Sequence, residues 1–470
     1  MRHLAALLSG LLLFASDQPL VLWWLQGLAL VPLFWALGPG AEPERAWKSG
    51  LAAGLGYGVP LLLVAGTSLP ILVALLAGLV QWFLLSIVIV RVLPRGAWRG
   101  PLAAAAAVTL LELFTWRAVP MFGTAQAFVR PLSAAPWLVG FVAYTGVAGL
   151  VFAVTLWNAW LARVLVARER KPALLGLLAL GLLLALPNWL RWTRPLGEPI
   201  QAAAMGWNSR AELEPAGVLG AIRRFAPEAQ AGQAVLYVSP ELGLNIPREG
   251  SEAAVAELGT VASQHGLTTV HGVWHAPSGE NRALCFGTEG QLLASYSKTH
   301  LIPLMENYNA GSGALLSAPL KGPGIELGAM ICQDDNFTDL ARAYGRRGAK
   351  LLAVPTADWP EIKGFHLENA VFRSIENGYA VVRAASGGVS ALISPRGELL
   401  ATKDHVKAGP GLLLGSLPSG DGRVTVYARV GDWPMLILGL ALFFFPTGRR
   451  GRGGRAGAPQ AAEAELSGVP

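Results

Sequence analysis

The chain has 470 residues, of which 53% are hydrophobic and only 14% charged, with a net charge of +7. A soluble protein carries about 25% charged residues, so a single water-soluble globule is excluded. The basic residues gather at the ends of apolar segments instead of forming a stripe, which argues against a nucleic-acid binder and for a membrane topology signal.

In chain order, residues 4–16 are a short apolar run behind Arg2, readable as a first span or as the core of a signal peptide. Runs near 20–37, 50–67, 70–92, 101–116, 137–162 and 173–190 each approach the ~20 apolar residues a spanning helix needs. A shorter run, 434–446, lies near the C-terminus. About eight transmembrane helices are therefore expected, seven within 1–190 and the last within 434–447. With Arg2 inside, the loops holding Arg45 and Lys48, Arg91, Arg95 and Arg99, and Arg163, Arg168, Arg170 and Lys171 all fall on the cytoplasmic side. Arg449, Arg450, Arg452 and Arg455 fall there too, in a Gly-, Ala- and Arg-rich tail (448–470) expected to be disordered. Residues 191–433 are then outside, whether or not 4–16 spans. Glu112 sits in an apolar stretch, as a functional intramembrane acid or as an interfacial partner of Arg117.

The segment 191–433 has ordinary globular composition. "AVLYVSPE", "LTTVHGVW", "RALCFGTEGQLLASYSK", "IELGAMIC", "KLLAVPT" and "YAVVRAASGGVSALISPRGELLA" read as strands. "SEAAVAELGTVASQHG", "DLARAYGRRG" and "HLENAVFRSIENG" read as helices. This is the pattern of one α/β domain with its own core.

Three residues follow strands of that domain. Cys332 ends "IELGAMI", where neighbouring backbone N–H groups can stabilise an oxyanion, although a buried structural cysteine is the commoner case. Lys298, between an apolar strand and "LIP", could be buried and sit beside a developing oxyanion, whereas most lysines are on the surface. Glu241 closes "VLYVSPE" and could act as a general base, or be a turn-forming acid after Pro240. The only other cysteine is Cys285; one pairing of the two stays open, and no CxxC or Cys/His cluster suggests a metal.

Taken together, "PE" at 240–241, "YSKTHLIPLMENY" at 296–308, "MIC" at 330–332 and "RSIENGYAVVRAASGGVSALISPRGE" at 373–398 resemble the carbon–nitrogen hydrolase (nitrilase) superfamily. That resemblance implies an αββα sandwich with Glu241 as base, Lys298 as oxyanion partner, Cys332 as nucleophile and Glu306 supporting the lysine and orienting the substrate. Its frame of seven upstream spans and one downstream is similar to the apolipoprotein N-acyltransferase family. "FASDQPLVLWWLQGLALVPLFWAL", "FGTAQAFVRPLSAAPWLVGFVAYTGVAGLVFAVTLWNA", "VYARVGDWP" and the K-x-H-L-x-P-x-x-E run at 298–306 carry that likeness. Two places depart from it. Gln333 and Asp334 stand where the family has Tyr-Glu, and "TADW" keeps Asp358 and Trp359 but not an Asn.

The resemblance implies a multi-pass protein of the inner membrane whose catalytic domain faces the extracytoplasmic side. It implies ping-pong transfer of an acyl chain from a phosphatidylethanolamine-like phospholipid, through a Cys332 thioester, to the N-terminal amine of a diacylglyceryl apolipoprotein. No cofactor or metal and a monomeric state are expected, with Gln333 and Asp334 beside the nucleophile in a supporting, substrate-orienting place. A membrane-bound amidase using water as acceptor shares the same triad, and an inactive lipoprotein-binding protein could keep the same fold.

Overall fold

The structure, a computed structural model, describes residues 1–17, 20–119, 123–166, 170–320 and 324–444. The expected tail at 448–470, Arg168 and the arginines beyond 447 lie outside them. A helical base comes first: α1 (Arg2–Asp17), α2 (Val31–Ala36), α3 (Ala46–Ala65), α4 (Leu69–Val92), α5 (Arg99–Ala118), α6 (Pro136–Val139), α7 (Val142–Val166) and α8 (Arg170–Thr193). Among the described residues, four helical stretches are long and apolar enough to cross a membrane: Pro43–Ala65, Leu69–Arg95, Val142–Leu165 and Arg170–Thr193. On α8, Leu174, Leu178, Leu182 and Leu186 point outward, as side chains do where lipid is the solvent. α5 is less apolar but more enclosed. Its run of Ala103–Ala107 is buried, and small side chains let neighbouring helices approach closely.

The expected span at 20–37 is not one helix. It is a 3₁₀ segment, Leu20–Gly27, followed by the six-residue α2 with Pro32 in its first turn. Freed polar groups there are satisfied by other helices. Asn158 Oδ1 accepts from the Leu30 N–H at 3.0 Å, Ser9 Oγ accepts from the Leu33 N–H at 2.8 Å, and Gln26 Nε2 donates to Ser16 Oγ at 2.7 Å. The expected span at 137–162 is likewise divided into α6 and α7, and α7 is broken at Gly146 (φ 67°). The ring of Tyr427 lies where a Cβ at Gly146 would be, so only glycine admits that close approach. Arg117 is not paired with Glu112. Its Nη2 meets Asp432 Oδ2 at 3.0 Å, leaving Glu112 buried inside the bundle with Gln81 as partner.

The second part is a two-sheet sandwich with helices on both faces. Its strands are β1 (Pro199–Gly206), β2 (Leu236–Ile246), β3 (Thr268–His275), β4 (Glu280–Phe286), β5 (Leu292–Ser297), β6 (Ala318–Pro319), β7 (Glu326–Ala329), β8 (Leu351–Ala357), β9 (Ala380–Ser386), β10 (Val389–Ile393), β11 (Leu399–Asp404) and β12 (Gly411–Pro418). The first sheet runs β12-β1-β2-β3-β4-β5 and the second β11-β10-β9-β8-β7-β6. β1, β2 and β3 are parallel, as are β7, β8 and β9, with antiparallel strands at the flanks.

The helices of this part are α9 (Gly217–Ala231), α10 (Ser251–His265), α11 (Thr338–Arg346), α12 (Lys363–Asn377), α13 (His405–Ala408) and α14 (Val426–Val430). The period-2 alternation of β1 and β2 explains the layers. Ala202, Ala204, Leu236 and Val238 face the second sheet, while Ala203, Met205 and Tyr237 lie under α9. α11 and α12 cover the other sheet, and α15 (Trp433–Phe444) returns to pack on α5.

The joint between the parts is polar and buried. Arg130, from the helical base, donates from Nε to Glu368 Oε2 at 2.8 Å and lies 3.3 Å from Asp17 Oδ2. Thr124 Oγ1 lies 3.0 Å from the Asn336 carbonyl and 2.9 Å from Asn369 Oδ1. The Val147 N–H donates to Glu376 Oε1 at 3.0 Å. The base therefore grips both α12 and the turn that follows Cys332.

Candidate active site

Glu241, Lys298 and Cys332 leave three different strands or strand ends and converge at one end of the sandwich. Glu241 lies within β2, at an interruption of the β2–β3 register between Ser239 and Leu244. Lys298 immediately follows β5, and Cys332 opens the 3₁₀ turn Cys332–Asn336 beyond β7. All three are buried.

Lys298 Nζ donates to Glu241 Oε1 at 2.8 Å and to Glu306 Oε1 at 2.7 Å. Burial alone would pull the ammonium pKa down, but Glu241, Cys332 and Glu306 together raise it well above the usual lysine range. The lysine is thus a fixed cation. Glu241 Oε1 also accepts from Asn281 Nδ2 at 2.7 Å, and its Oε2 accepts from the Ala357 N–H at 2.8 Å. Every contact to Glu241 is a donor, the arrangement that holds a carboxylate. Glu306 is anchored in turn by Tyr308 Oη at 2.6 Å and the Ile302 N–H at 2.7 Å.

Cys332 adopts φ 47°, the left-handed region that non-glycine residues rarely enter, at a cost of about 1–3 kcal/mol. Strain of this kind persists where the surroundings over-determine it. The Cys332 carbonyl accepts from His366 Nε2 at 3.2 Å, and Sγ lies 3.5 Å from the Ala357 carbonyl as a weak donor. Burial, then the Glu241 charge, pushes the thiol pKa well up, and Lys298 only partly offsets them. The resting site therefore holds a neutral thiol beside a carboxylate and an ammonium. A thiolate can form there only as its proton moves to a base, and Glu241 is the nearby carboxylate whose charge acts on the thiol.

Gln333 is buried, lines the cleft described below, and accepts from Asn336 Nδ2 at 2.8 Å. Asp334 is wholly buried and organises the backbone on both sides of the site. It accepts from Tyr296 Oη at 2.6 Å, the Ile331 N–H at 3.1 Å and the His300 N–H at 2.8 Å. Its hydrogen bonds tie the Lys298-to-His300 segment to the nucleophile turn. His300, between Asp334 and Asp339, has its pKa raised to about 9: burial lowers it, and hydrogen bonds to the two carboxylates outweigh that.

A cleft of ≈ 160 Å³ opens beside Cys332 and continues between α3 and α4 into the helical base. Gln333, Ala357, Trp359 and His366 line its domain end, and Leu61, Ile71, Leu75, Gly78 and Trp82 line its apolar length down to Glu112. Gly78 faces open space, with no atom within 4 Å of where a Cβ would stand. The cleft joins the reactive end of the sandwich to the lipid-facing part of the molecule.

Sequence reasoning missed Asn281, Tyr308, His366 and Arg383, which surround the three residues. The available signal was on α12, where His366, Glu368, Asn369, Arg373 and Glu376 recur through a helix whose residues from His366 to Asn377 are all buried. Charged side chains buried at that density demand partners.

Two family models match the two parts of the chain. Residues 201–424 match the carbon–nitrogen hydrolase family, and residues 9–160 match the apolipoprotein N-acyltransferase N-terminal domain. The chain is 26% identical over 503 residues to the apolipoprotein N-acyltransferase of Pseudomonas syringae pv. tomato, covering 94% of this chain and 95% of that one. It is 28% identical to that of Azotobacter vinelandii, covering 98% of each. Among solved structures, an amidase from Nesterenkonia sp. aligns at 26% identity and a TM-score of 0.42, over 50% of this chain and 94% of that one.

Sandwich, cleft and helical base define a membrane-embedded enzyme with a carbon–nitrogen hydrolase domain. Within that class, the chain is similar over nearly its whole length to apolipoprotein N-acyltransferases, and its residues 9–160 match their N-terminal domain.

Proposed function

We propose that this acyltransferase moves an acyl chain from a phosphatidylethanolamine-like phospholipid to the N-terminal amine of a diacylglyceryl apolipoprotein, through a thioester on Cys332. The observation that carries the proposal is the cleft: Cys332 sits at one end of an apolar passage that continues between membrane helices. Both substrates are lipids held in the bilayer, and a passage from lipid to nucleophile is what such a reaction needs.

In the first step Glu241 takes the Cys332 proton as Sγ attacks the ester carbonyl. Lys298 Nζ and backbone N–H groups near Cys332 bear the oxyanion. The intermediate collapses with cleavage of the ester C–O bond, Glu241 protonates the departing lysophospholipid, and the acyl chain stays on sulfur. In the second step the amine attacks the thioester, gives its proton to Glu241, and the thiolate leaves and is reprotonated. Glu306 supports Lys298, and Gln333 and Asp334 shape the substrate side and the scaffold of the nucleophile turn.

The basic loops favour an eight-span arrangement in the inner membrane, with domain 191–433 on the extracytoplasmic side; the chain is proposed to act as a monomer. Exposed Trp189 and Trp433, at the helix ends nearest that domain, suit an interfacial aromatic belt.

Intact-mass measurement after incubation with phosphatidylethanolamine tests the reading. Wild type gains one acyl-sized adduct and Cys332→Ala gains none. Absence of the adduct on folded wild type rejects the thioester, and discharge by water as fast as by a lipopeptide amine makes the enzyme a hydrolase. The cleft has its own test. Gly78→Leu fills open space on a helix that tolerates leucine, so folding is retained. Turnover of palmitoyl donors relative to octanoyl donors is expected to fall about tenfold. An unchanged ratio would place the chain elsewhere.

A further inference from the structure

Behind Cys332 lies a closed ring of four charged side chains that the acyl-transfer steps do not use. His366, on α12, sends Nδ1 to Asp358 Oδ1 at 2.6 Å and Nε2 to the Cys332 carbonyl at 3.2 Å, with Asp335 Oδ1 2.9 Å from the same nitrogen. Arg383, on β9, completes the ring: Nη1 reaches Asp335 Oδ2 at 3.1 Å, and Nη2 reaches Asp358 Oδ2 at 2.8 Å. All four side chains are buried, and the carboxylates come from the nucleophile turn and from the segment after β8.

Both ring nitrogens of His366 face acceptors. A proton on Nδ1 is required by a carboxylate oxygen at 2.6 Å, and one on Nε2 by the Cys332 carbonyl and Asp335. The 3.0 Å approach of Arg383 Nη2 to Nδ1 is a contact between two cations that share Asp358. The ring is thus two cations and two anions, neutral as a whole, with an imidazolium against the backbone of the nucleophile. Cys332 is the residue held at φ 47°. Its carbonyl has to be fixed for Sγ to stay on the side of Glu241 and Lys298, and the hydrogen bond from His366 is what fixes it.

We propose that His366 is a positioning residue for the nucleophile: locked as an imidazolium between Asp335 and Asp358, it holds the Cys332 carbonyl and so maintains the left-handed backbone that aims the thiol. The inference rests on Cys332 being the acylated residue. It assigns His366 no contact with the reacting atoms.

The charges facing His366 are Asp335, Asp358 and Arg383. Burial lowers the His366 pKa, but Asp335 and Asp358 win over burial and Arg383 and raise it to about 9. The imidazolium is therefore present below that pH and lost above it, so thioester formation should fall as pH rises through about 9. Lys298 stays charged through this range, its pKa being raised well above 10.5. His300 also has a pKa of about 9, so the limb has to be assigned by substitution.

The experiment is single-turnover thioester formation on full-length protein in lipid nanodiscs, followed by intact mass from pH 6 to pH 10, with phosphatidylethanolamine as donor. His366→Ala is expected to slow acylation about 100-fold without changing the donor concentration for half-maximal rate. His366→Gln, whose amide N–H can reach the carbonyl, should recover about tenfold of that loss and lack the alkaline limb. Melting curves confirm that each variant is folded, and His366→Gln serves if His366→Ala is not. An alkaline limb that persists in His366→Gln, or folded variants that acylate at the wild-type rate, overturns the proposal. Wild type that forms no adduct at any pH overturns instead the thioester reading on which it stands.

Discussion

Glu241→Gln should lower acyl transfer by about 10³-fold or more while the protein stays folded. Glutamine keeps the size of glutamate but cannot take a proton, and a positioned general base is worth about 10²–10⁴ in rate. The local geometry adds to the loss. Glu241 receives three donors, Asn281 Nδ2, Lys298 Nζ and the Ala357 N–H. A glutamine amide must turn its NH₂ toward one of them, opposing a donor with a donor. Lys298 also loses the largest of the negative charges that raise its pKa, with burial still pulling the other way. Turnover with a lipopeptide acceptor measures the first effect. The rate of Cys332 alkylation by iodoacetamide reports the charge balance at the thiol, and it should fall less than turnover, because losing the Glu241 charge removes one of the groups that push the thiol pKa up. A variant keeping more than about a tenth of wild-type turnover removes Glu241 from the role of base. Glu241→Asp, which retains the charge on a shorter arm, should lie between the two.

The candidate site was legible in the sequence to the extent that its residues close apolar runs, although Glu241 lies within β2 and not at its end. "VLYVSPE", "LLASYSK" and "IELGAMIC" each present a polar residue where a buried run stops, and α/β sheets bring such ends together. The two-sheet sandwich was implied by the family resemblance and not by these runs, which gave only an α/β pattern. His366, Arg383 and Asn281 were not legible, because their partners lie on other elements and spacing along one strand or helix does not encode a contact between sheets. Charge along α12 was visible, but its meaning depended on the whole helix being buried.

The helical base shows the opposite limit. Apolar length located its segments, yet 20–37 and 137–162 are interrupted where side chains on distant helices, such as Asn158 and Ser9, satisfy backbone groups. Glu112 reads as an interfacial partner of Arg117 only until Asp432, more than 300 positions later, is seen to take that arginine. Its own place in the cleft is a consequence of how α4 and α5 meet.

Arg383→Met should be the most destabilising single change in the catalytic domain. The guanidinium is fully buried and binds Asp335 through one nitrogen and Asp358 through another. Removing one member of a buried ion pair leaves its partner desolvated, at about 3–5 kcal/mol. For a domain of this size each kcal/mol moves the midpoint by about 2–4 °C, so a fall of about 10 °C in melting temperature is expected.

The pH dependence carries the specific signature. Burial raises the Asp358 pKa, but Arg383, then His366, outweigh it and hold it below its ordinary 3.8, so its contribution is present above that value and fades as pH falls through the lower folded value. The raised pKa of His366 makes its contribution complete below 6.5 and lost as pH rises through about 9. Arg383 lowers both groups. Its removal raises both, so the acid edge and the alkaline edge of the stability plateau should each move to higher pH. Melting temperatures from pH 3 to pH 10, followed by tryptophan fluorescence, separate this from simple loss of packing, which would lower the whole curve without moving its edges. Arg383→Lys supplies the control: a single ammonium replaces a fork that holds two carboxylates, so the edges should stay near those of wild type while part of the stability is lost.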